Sequence, residues 1–296
     1  MRGFDSQVFT ISQEQKQYHT YILTDEDAKS QIEVVPERGG IITRWRIDNR
    51  EILYLDEDRY ADSTKTVRGG VPILFPICGN LPDDTFNYQG ESYKLVQHGF
   101  GRRVPWSVTD TSTNNCASIT IAIESSPDTL ALYPFEFSVT YTYELRGNSV
   151  KIWQTYTNKS KVKMPLSAGF HPYFQVGDKQ KLEVDIPGSE YADNISKANA
   201  SFSGEFDYQK NEIDAAFTTI TNNSTSFCDR DLQRKVTLQY SDFFSTLVFW
   251  TIKGDNFICL EPWSAPRNGI NTGEQLTILD PGTSYDAELT MICEQT

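Results

Sequence analysis

Cysteine is scarce in this sequence of 296 residues, and its five copies are widely scattered. They are odd in number and form no CxxC pair, so the sequence predicts neither a disulfide framework nor a zinc ribbon. No other metal-ligand spacing occurs, and we expect no bound metal. We expect reduced thiols, most of them buried, at Cys78, Cys116, Cys228, Cys259 and Cys293.

Long apolar runs are also missing. No window approaches the roughly 18 to 20 apolar residues that span a bilayer. Residues 1–7 lack the apolar stretch of a signal peptide. The sequence therefore predicts a cytoplasmic protein that is not attached to a membrane.

Positive charge is in the minority. The chain has 27 Lys and Arg residues against 40 Asp and Glu residues, which gives a formal net charge of −13. An excess of negative charge does not attract the phosphate backbone of nucleic acid, so nucleic acid is not an expected partner. An anionic small molecule would need a local cationic pocket.

Alternation of apolar and polar residues with a period of two dominates the readable segments and predicts an all-β fold. Turn signals at 146–149 and 253–256 separate pairs of these segments and indicate antiparallel hairpins. No comparable stretch has helical periodicity. The predicted strands are residues 118–123, 137–145, 150–157, 235–240, 246–252 and 287–293.

Neither an internal repeat nor a Pro/Gly/Ser-rich linker divides the chain. We therefore expect a single domain over residues 1–296, built from two packed sheets of many strands. Two long loops are predicted, at about 68–103 and 188–204, and a third exposed connection at 218–226. Long loops in compact domains commonly serve a function.

The three histidines differ in their sequence surroundings. His19 lies in a polar run and is expected at the surface. His98 is followed by Gly99, where the backbone can approach a ligand closely. His171 follows a strand-like segment and precedes Pro172, so it either projects into a cleft or is a core histidine that bonds a carbonyl.

Glu261 is an unusual carboxylate because an apolar strand leads directly into it. It is followed by Pro262 and Trp263. It is either exposed at the end of the strand or partly buried beside Trp263. In the second case its pKa would rise toward the range that a general base needs at neutral pH.

Five ordered motifs resemble the aldose 1-epimerase family, and most of all its hexose-6-phosphate mutarotase branch. They are VVPERGGIITRW at 34–45, RGGVPILFP at 68–76, QHGFGR at 97–102, GFHPYF at 169–174 and LEPW at 260–263. The resemblance covers about residues 32–293. It implies a galactose-mutarotase-like β-supersandwich with its sugar cleft on the concave face of one large sheet.

The resemblance also implies roles for individual residues. Family members interconvert the α and β anomers of an aldose without metal or organic cofactor. The general acid of the GFHPYF motif falls on His171, and the general base of the LEPW motif falls on Glu261. The family's substrate-binding positions fall on Arg68, His98, Arg102 and Asp214, the last in a weaker match.

One departure from the family pattern is a second cation, Arg103, directly after Arg102. On a strand the two side chains would point to opposite faces, so the sequence leaves open which guanidinium reaches the cleft. The negative charge of the chain would repel a sugar phosphate at long range, although two local arginines could outweigh that repulsion.

Two other functions fit some of these residues. A non-catalytic carbohydrate-binding protein could stack a sugar on Tyr173, Phe174 and Trp263. A glycoside hydrolase could use Glu261 and Asp214 as its two carboxylates but would leave His171 without a role. Motifs of several other enzymes, GxSxG, the P-loop and HExxH, are absent. The expected partner is a sugar or sugar phosphate, and the expected state is a monomer or weak dimer.

Overall fold

Antiparallel strands make up most of the described structure, a computed structural model in which residues 8–296 are described. Residues 1–7, on which the expectation about a signal peptide rests, lie outside the described residues. The all-β prediction is confirmed, because the described α-helices are three segments of four to six residues. None of these helices is long and apolar enough to cross a membrane.

The first half of the chain contains β1 (Phe9–Gln15), β2 (His19–Asp25), β3 (Ser30–Val35), β4 (Ile41–Ile47), β5 (Arg50–Glu51), α1 (Glu57–Ala61), β6 (Ile73–Leu74), β7 (Thr85–Tyr88), β8 (Glu91–Lys94), β9 (Ser107–Ser112), β10 (Ala117–Glu124), α2 (Pro127–Leu132), β11 (Phe137–Arg146) and β12 (Ser149–Asn158). The second half contains β13 (Met164–Leu166), β14 (Gly169–Phe170), β15 (Tyr173–Gln175), β16 (Leu182–Asp185), β17 (Glu190–Asp193), β18 (Ala198–Ser201), β19 (Glu212–Phe217), β20 (Ser224–Asp229), β21 (Arg234–Tyr240), β22 (Thr246–Ile252), β23 (Phe257–Trp263), α3 (Gly269–Thr272), β24 (Thr277–Leu279) and β25 (Ser284–Gln295).

Two eight-stranded sheets and a five-stranded N-terminal sheet share one apolar core. The first large sheet, here called the back sheet, has the order β16-β20-β21-β25-β12-β11-β10-β9. The second, here called the cavity sheet, has the order β18-β17-β19-β22-β23-β14-β6, with β15 also paired to β23. Apolar side chains from all three sheets belong to one buried cluster. Two large sheets were expected, and two are observed.

Strand alternation gives the cavity sheet one face toward the core and one toward a cleft. In β23, Ile258 and Leu260 belong to the main core cluster. Cys259 and Trp263 lie on the opposite face and pack in two smaller clusters. Glu261 shares that second face, because successive side chains of a strand alternate between the two sides. A fully buried strand can therefore carry a carboxylate without placing it in the apolar core.

The six predicted strands are confirmed, and each lies within an observed strand: β10, β11, β12, β21, β22 and β25. The predicted long loops are wrong. Residues 68–103 include β6 and the β7–β8 hairpin, and residues 188–204 include the β17–β18 hairpin. Part of 218–226 belongs to β20. These strands of two to six residues are too short or too polar to show a readable alternation.

No disulfide joins the cysteines, all of which lie among the described residues, and the first histidine lies in the N-terminal sheet. All five cysteines are free thiols, and three of them, Cys78, Cys259 and Cys293, are buried. His19 begins β2 and is half-buried, with its ring 5.1 Å from that of Tyr21. It is less exposed than its polar neighbours indicated.

Candidate active site

A cavity of about 330 Å³ opens over the second face of the cavity sheet. Its volume is near the lower end of the range for small-molecule sites. All six residues singled out from the sequence line it, namely Arg68, His98, Arg102, His171, Asp214 and Glu261. They come from segments far apart in the sequence, which the strand order of the sheet brings together.

His171 and Glu261 face each other at the bottom of the cavity. The Nε2 atom of His171 lies 3.3 Å from Oε1 of Glu261. His171 follows β14, its backbone N–H donates to the carbonyl of Pro72, and its ring stacks on Tyr173 with centroids 4.6 Å apart. The indole N–H of Trp263 donates to Oε2 of Glu261 over 3.2 Å. Both side chains are therefore held in position without a substrate.

Burial moves the pKa values of this pair in opposite directions. Removal from water raises the pKa of Glu261 well above its ordinary value, and the negative charge of Asp214 adds to the increase. Removal from water lowers the pKa of His171, and the nearby guanidinium of Arg102 lowers it further. Burial therefore opposes charge on both groups, on the carboxylate of Glu261 as well as on the imidazolium of His171.

His98 occupies a left-handed backbone conformation with φ of 65°. The backbone N–H of Gly79 donates to its Nδ1 over 3.0 Å, and its own N–H donates to the Gly79 carbonyl over 2.7 Å. Burial lowers the pKa of His98, so its ring is neutral. Since Nδ1 accepts a hydrogen bond, the ring proton is on Nε2. His98 is thus fixed as a hydrogen-bond donor in the cavity wall.

Asp214 forms an ion pair that was not anticipated from the sequence. Its Oδ2 accepts from Nη2 of Arg267 over 2.7 Å, and its Oδ1 accepts from the Asn194 amide over 2.9 Å. The Arg267 guanidinium lies 5.5 Å from the ring of Trp263. The sequence did contain a signal for Arg267. This arginine ends the segment SAPR at 264–267, directly after the LEPW motif, and Pro266 favours a turn that brings the chain back toward the end of the strand.

Arg102 and Arg103 both reach the cavity. They lie in a turn between β8 and β9, so the strand rule that would separate their side chains does not apply. Arg102 donates to the Gln97 carbonyl over 3.0 Å, its buried Nε has no hydrogen-bond partner among the described residues, and burial lowers its pKa to about 10. Arg103 makes a long contact of 3.4 Å with Thr66 Oγ1.

Arg68 lines the same cavity as Arg102 and Arg103. Its Nη1 lies 3.7 Å from Oδ2 of Asp255, and its guanidinium lies 5.7 Å from the ring of Trp250. Arg59, on α1, also lines the cavity and was not anticipated, because nothing in its helical segment distinguishes it from a surface arginine. Five arginines therefore surround a cavity in a strongly acidic chain.

A third possible metal ligand, the thiol of Cys259, lies next to the His171–Glu261 pair. One ligand atom each from His171, Cys259 and Glu261 lie within 4.8 Å of one another, and all three residues are buried. Imidazole, thiolate and carboxylate are the ligands that zinc takes in proteins. Sequence spacing could not indicate this group, because His171 is distant in the chain from the other two.

Comparisons with known proteins agree with this architecture. The family model described as aldose 1-epimerase matches residues 20–291. The crystal structure of the Slr1438 protein from Synechocystis is 39% identical, covers 98% of this chain and 100% of its own, and superposes with a TM-score of 0.94. The LacX protein of Lactococcus lactis is 27% identical over 268 residues, which are 80% of this chain and 86% of LacX.

Two other similar proteins have names that state an activity. The structure of galactose 1-epimerase from Lactobacillus acidophilus has a TM-score of 0.77 at 16% identity, covering 98% of this chain and 99% of its own, which shows the shared fold. A Salmonella typhimurium protein provisionally named glucose-6-phosphate 1-epimerase is 25% identical over 163 residues, which are 54% of this chain and 51% of that protein.

Proposed function

Because this chain belongs to the aldose 1-epimerase family and is therefore a sugar isomerase, we propose that it interconverts the α and β anomers of an aldohexose, with His171 and Glu261 as its acid and base. The observation that carries this proposal is the buried pair itself, with Nε2 and Oε1 only 3.3 Å apart. The reaction acts on two oxygens bonded to the same anomeric carbon, so the acid and the base must be neighbours.

The pair carries one proton through every step. In the reactive form, protonated His171 gives its proton to the ring oxygen while ionised Glu261 takes the proton of the C1 hydroxyl. The ring C1–O bond breaks and the C1 carbonyl forms, which leaves a neutral imidazole and a protonated carboxyl. After rotation about C1–C2, the reverse transfers close the ring on the other face of the carbonyl.

The pKa directions support this cycle. The neutral pair that burial favours is the form that accompanies the open-chain sugar. Burial therefore favours both proton transfers of ring opening, from the imidazolium to the ring oxygen and from the C1 hydroxyl to the carboxylate. Each positioned acid or base contributes on the order of 10² to 10⁴ to the rate, enough for a reaction that already proceeds unaided.

We further propose that the substrate is a hexose 6-phosphate. Arg68 and Arg102, which were predicted, and Arg103 line one cavity. Guanidinium groups bind phosphate oxygens through charge-assisted contacts, often two at once. The provisional name of the Salmonella relative points the same way. His98, with its proton on Nε2, and Asp214 with Arg267 would contact the sugar hydroxyls.

The test is an anomer-exchange assay by NMR or polarimetry with glucose, galactose and glucose 6-phosphate in parallel. We expect exchange above the buffer rate, with the highest kcat/KM for glucose 6-phosphate. Exchange of free sugars alone would overturn the phosphate assignment. Saturable binding of a sugar with no exchange by the wild-type protein would instead identify a non-catalytic carbohydrate-binding protein.

A further inference from the structure

Cys259 is a buried thiol beside the acid–base pair that the proposed reaction does not use. It lies in β23 two residues before Glu261, on the same face of the strand. It is fully buried and packs with Tyr173 and Phe257. The backbone pairing of Cys259 with Tyr173 places the thiol next to the segment that carries His171.

The three ligand atoms are close to the spacing of a coordinated ion. They lie within 4.8 Å of one another. Zn²⁺ binds nitrogen, oxygen and sulfur at about 2.0 to 2.3 Å, so its tetrahedral ligands are about 3.3 to 3.8 Å apart. Side-chain shifts of roughly 1 Å would bring the three ligand atoms to this spacing. The Nδ1 atom of His171 is buried without a hydrogen-bond partner among the described residues. No hydrogen bond within the protein is therefore lost if Nδ1 binds the ion, or if Nδ1 carries the ring proton while Nε2 binds the ion.

Charge balance favours a divalent cation once the thiol ionises. One thiolate and one carboxylate neutralise two positive charges, and the imidazole adds a neutral ligand. Binding breaks the S–H bond and displaces the proton of the pair, and both protons pass to the buffer. The nearby arginines oppose the cation to different degrees. Arg267 is paired with Asp214 and Arg68 lies 3.7 Å from Asp255, whereas Arg102 has no acidic partner among the described residues and donates to the Gln97 carbonyl.

We propose that His171, Cys259 and Glu261 form a binding site for a thiophilic divalent cation, with Zn²⁺ as the expected occupant and the fourth position open to the cavity. Such an ion takes both groups of the acid–base pair and is therefore a reversible inhibitor. The inhibition rests on the proposed function of that pair, whereas the binding of the ion does not.

The test of binding is titration of the protein with Co²⁺, a spectroscopic substitute for Zn²⁺. A thiolate ligand gives Co²⁺ a strong charge-transfer absorption in the near ultraviolet. We expect this band in the wild type and its disappearance when Zn²⁺ is added. Cys259→Ala and His171→Asn should lose it. Cys78→Ala is the matched control, because Cys78 is also buried and packs against Trp263, and it should retain the band.

Absence of the band in the wild type, or its retention in Cys259→Ala, would overturn the site. Thermal unfolding followed by circular dichroism establishes that the variants fold, and Cys259→Ser provides a second variant of similar size.

Inhibition is measured separately by anomer exchange. Loss of a ligand should raise the half-inhibitory Zn²⁺ concentration at least about tenfold in Cys259→Ala. Even the loss of a residue that only hydrogen-bonds to a metal ligand typically lowers metal affinity about 10- to 100-fold. A chelator should restore the wild-type rate. Equal inhibition of both proteins would refute the proposed inhibitory site. A protein that shows the Co²⁺ band but no exchange would refute the proposed function alone.

Discussion

His171 and Glu261 have pKa values displaced in opposite directions, which sets the pH range of activity. At low pH a second proton binds to the pair and removes the base. At high pH the pair loses its single proton and with it the acid. The active range therefore lies between the lowered pKa of His171 and the raised pKa of Glu261.

The corresponding prediction concerns kcat for free glucose, which carries no titrating phosphate. The acidic limb should lie below 6.5, the ordinary value for imidazole, because burial opposes charging of His171. The profile is measured by anomer exchange after subtraction of the buffer rate. An inflection at pH 6.5 that disappears in His171→Asn would show that the imidazole titrates as if exposed to water.

Replacement of either member of the pair tests the assignment of acid and base. His171→Asn or Glu261→Gln should lower kcat by at least about 10²-fold, since each removes one positioned proton-transfer group. His19→Asn is the control, because that histidine lies in the N-terminal sheet. Retention of more than half the activity in either cavity variant would contradict the roles given to these residues.

The arginines decide between free and phosphorylated sugar. Arg68→Ala or Arg102→Ala should raise KM for glucose 6-phosphate about tenfold or more, because a charge-assisted hydrogen bond contributes roughly 1.5 to 3 kcal/mol. Turnover of free glucose should change little. Arg230→Ala is the matched control, since that arginine is exposed and pairs with Glu183. An equal loss of activity toward both sugars would indicate that Arg68 and Arg102 have a structural role and do not bind the phosphate.

Adjacent residues of strand β23 face the apolar core and the cavity. Leu260 faces the core and is fully buried, whereas Glu261, the next residue, faces the cavity. The same alternation runs through β22, where Phe249 packs in the core and Trp250 lines the cavity. The period of two thus lets one sheet form both the core wall and the cavity floor.

This alternation predicts opposite effects for two adjacent substitutions. Leu260→Ala should reduce the free energy of unfolding by about 2 to 5 kcal/mol, because it leaves a cavity in a close-packed core. Glu261→Gln should lower kcat while reducing that free energy by less than Leu260→Ala does. Urea unfolding and exchange kinetics on both variants provide the test. A smaller loss of stability in Leu260→Ala than in Glu261→Gln would contradict this arrangement of faces.

Charge is distributed unevenly over the full chain. The net charge is −13, yet five arginines line the cavity. Long-range repulsion and local attraction therefore act on a sugar phosphate with opposite signs. The exposed acidic groups are screened over about 10 Å at 0.1 M salt, and both effects weaken as salt rises.

Salt dependence shows which effect dominates. If contact with the arginines controls binding, kcat/KM for glucose 6-phosphate should fall as ionic strength rises from about 0.01 to 0.5 M, where screening becomes strong. The value for free glucose, which has no charge to screen, serves as the control and should stay constant. A rise for the phosphosugar would mean that the net negative charge limits its approach.

Local pattern in the sequence was sufficient for the all-β class and for the long strands. Strands such as β11 and β12 have ten residues each, and their alternation reflects burial of one face, which is a property of neighbouring residues. Motif resemblance indicated the family and six positions that the fold brings into one cavity. Short polar strands such as β7 and β17 were missed, because their pairing depends on partners and not on their own composition.

The contacts across the cavity depend on the fold, since they join residues far apart in the chain. The pairing of Asp214 with Arg267, the approach of both Arg102 and Arg103, and the position of Cys259 beside His171 arise from sheet order and turn geometry. The pKa values of His171 and Glu261 likewise follow from burial, which no single segment sets. Residue types are written in the sequence, but distance and desolvation, which determine their chemistry, exist only after the sheets have packed.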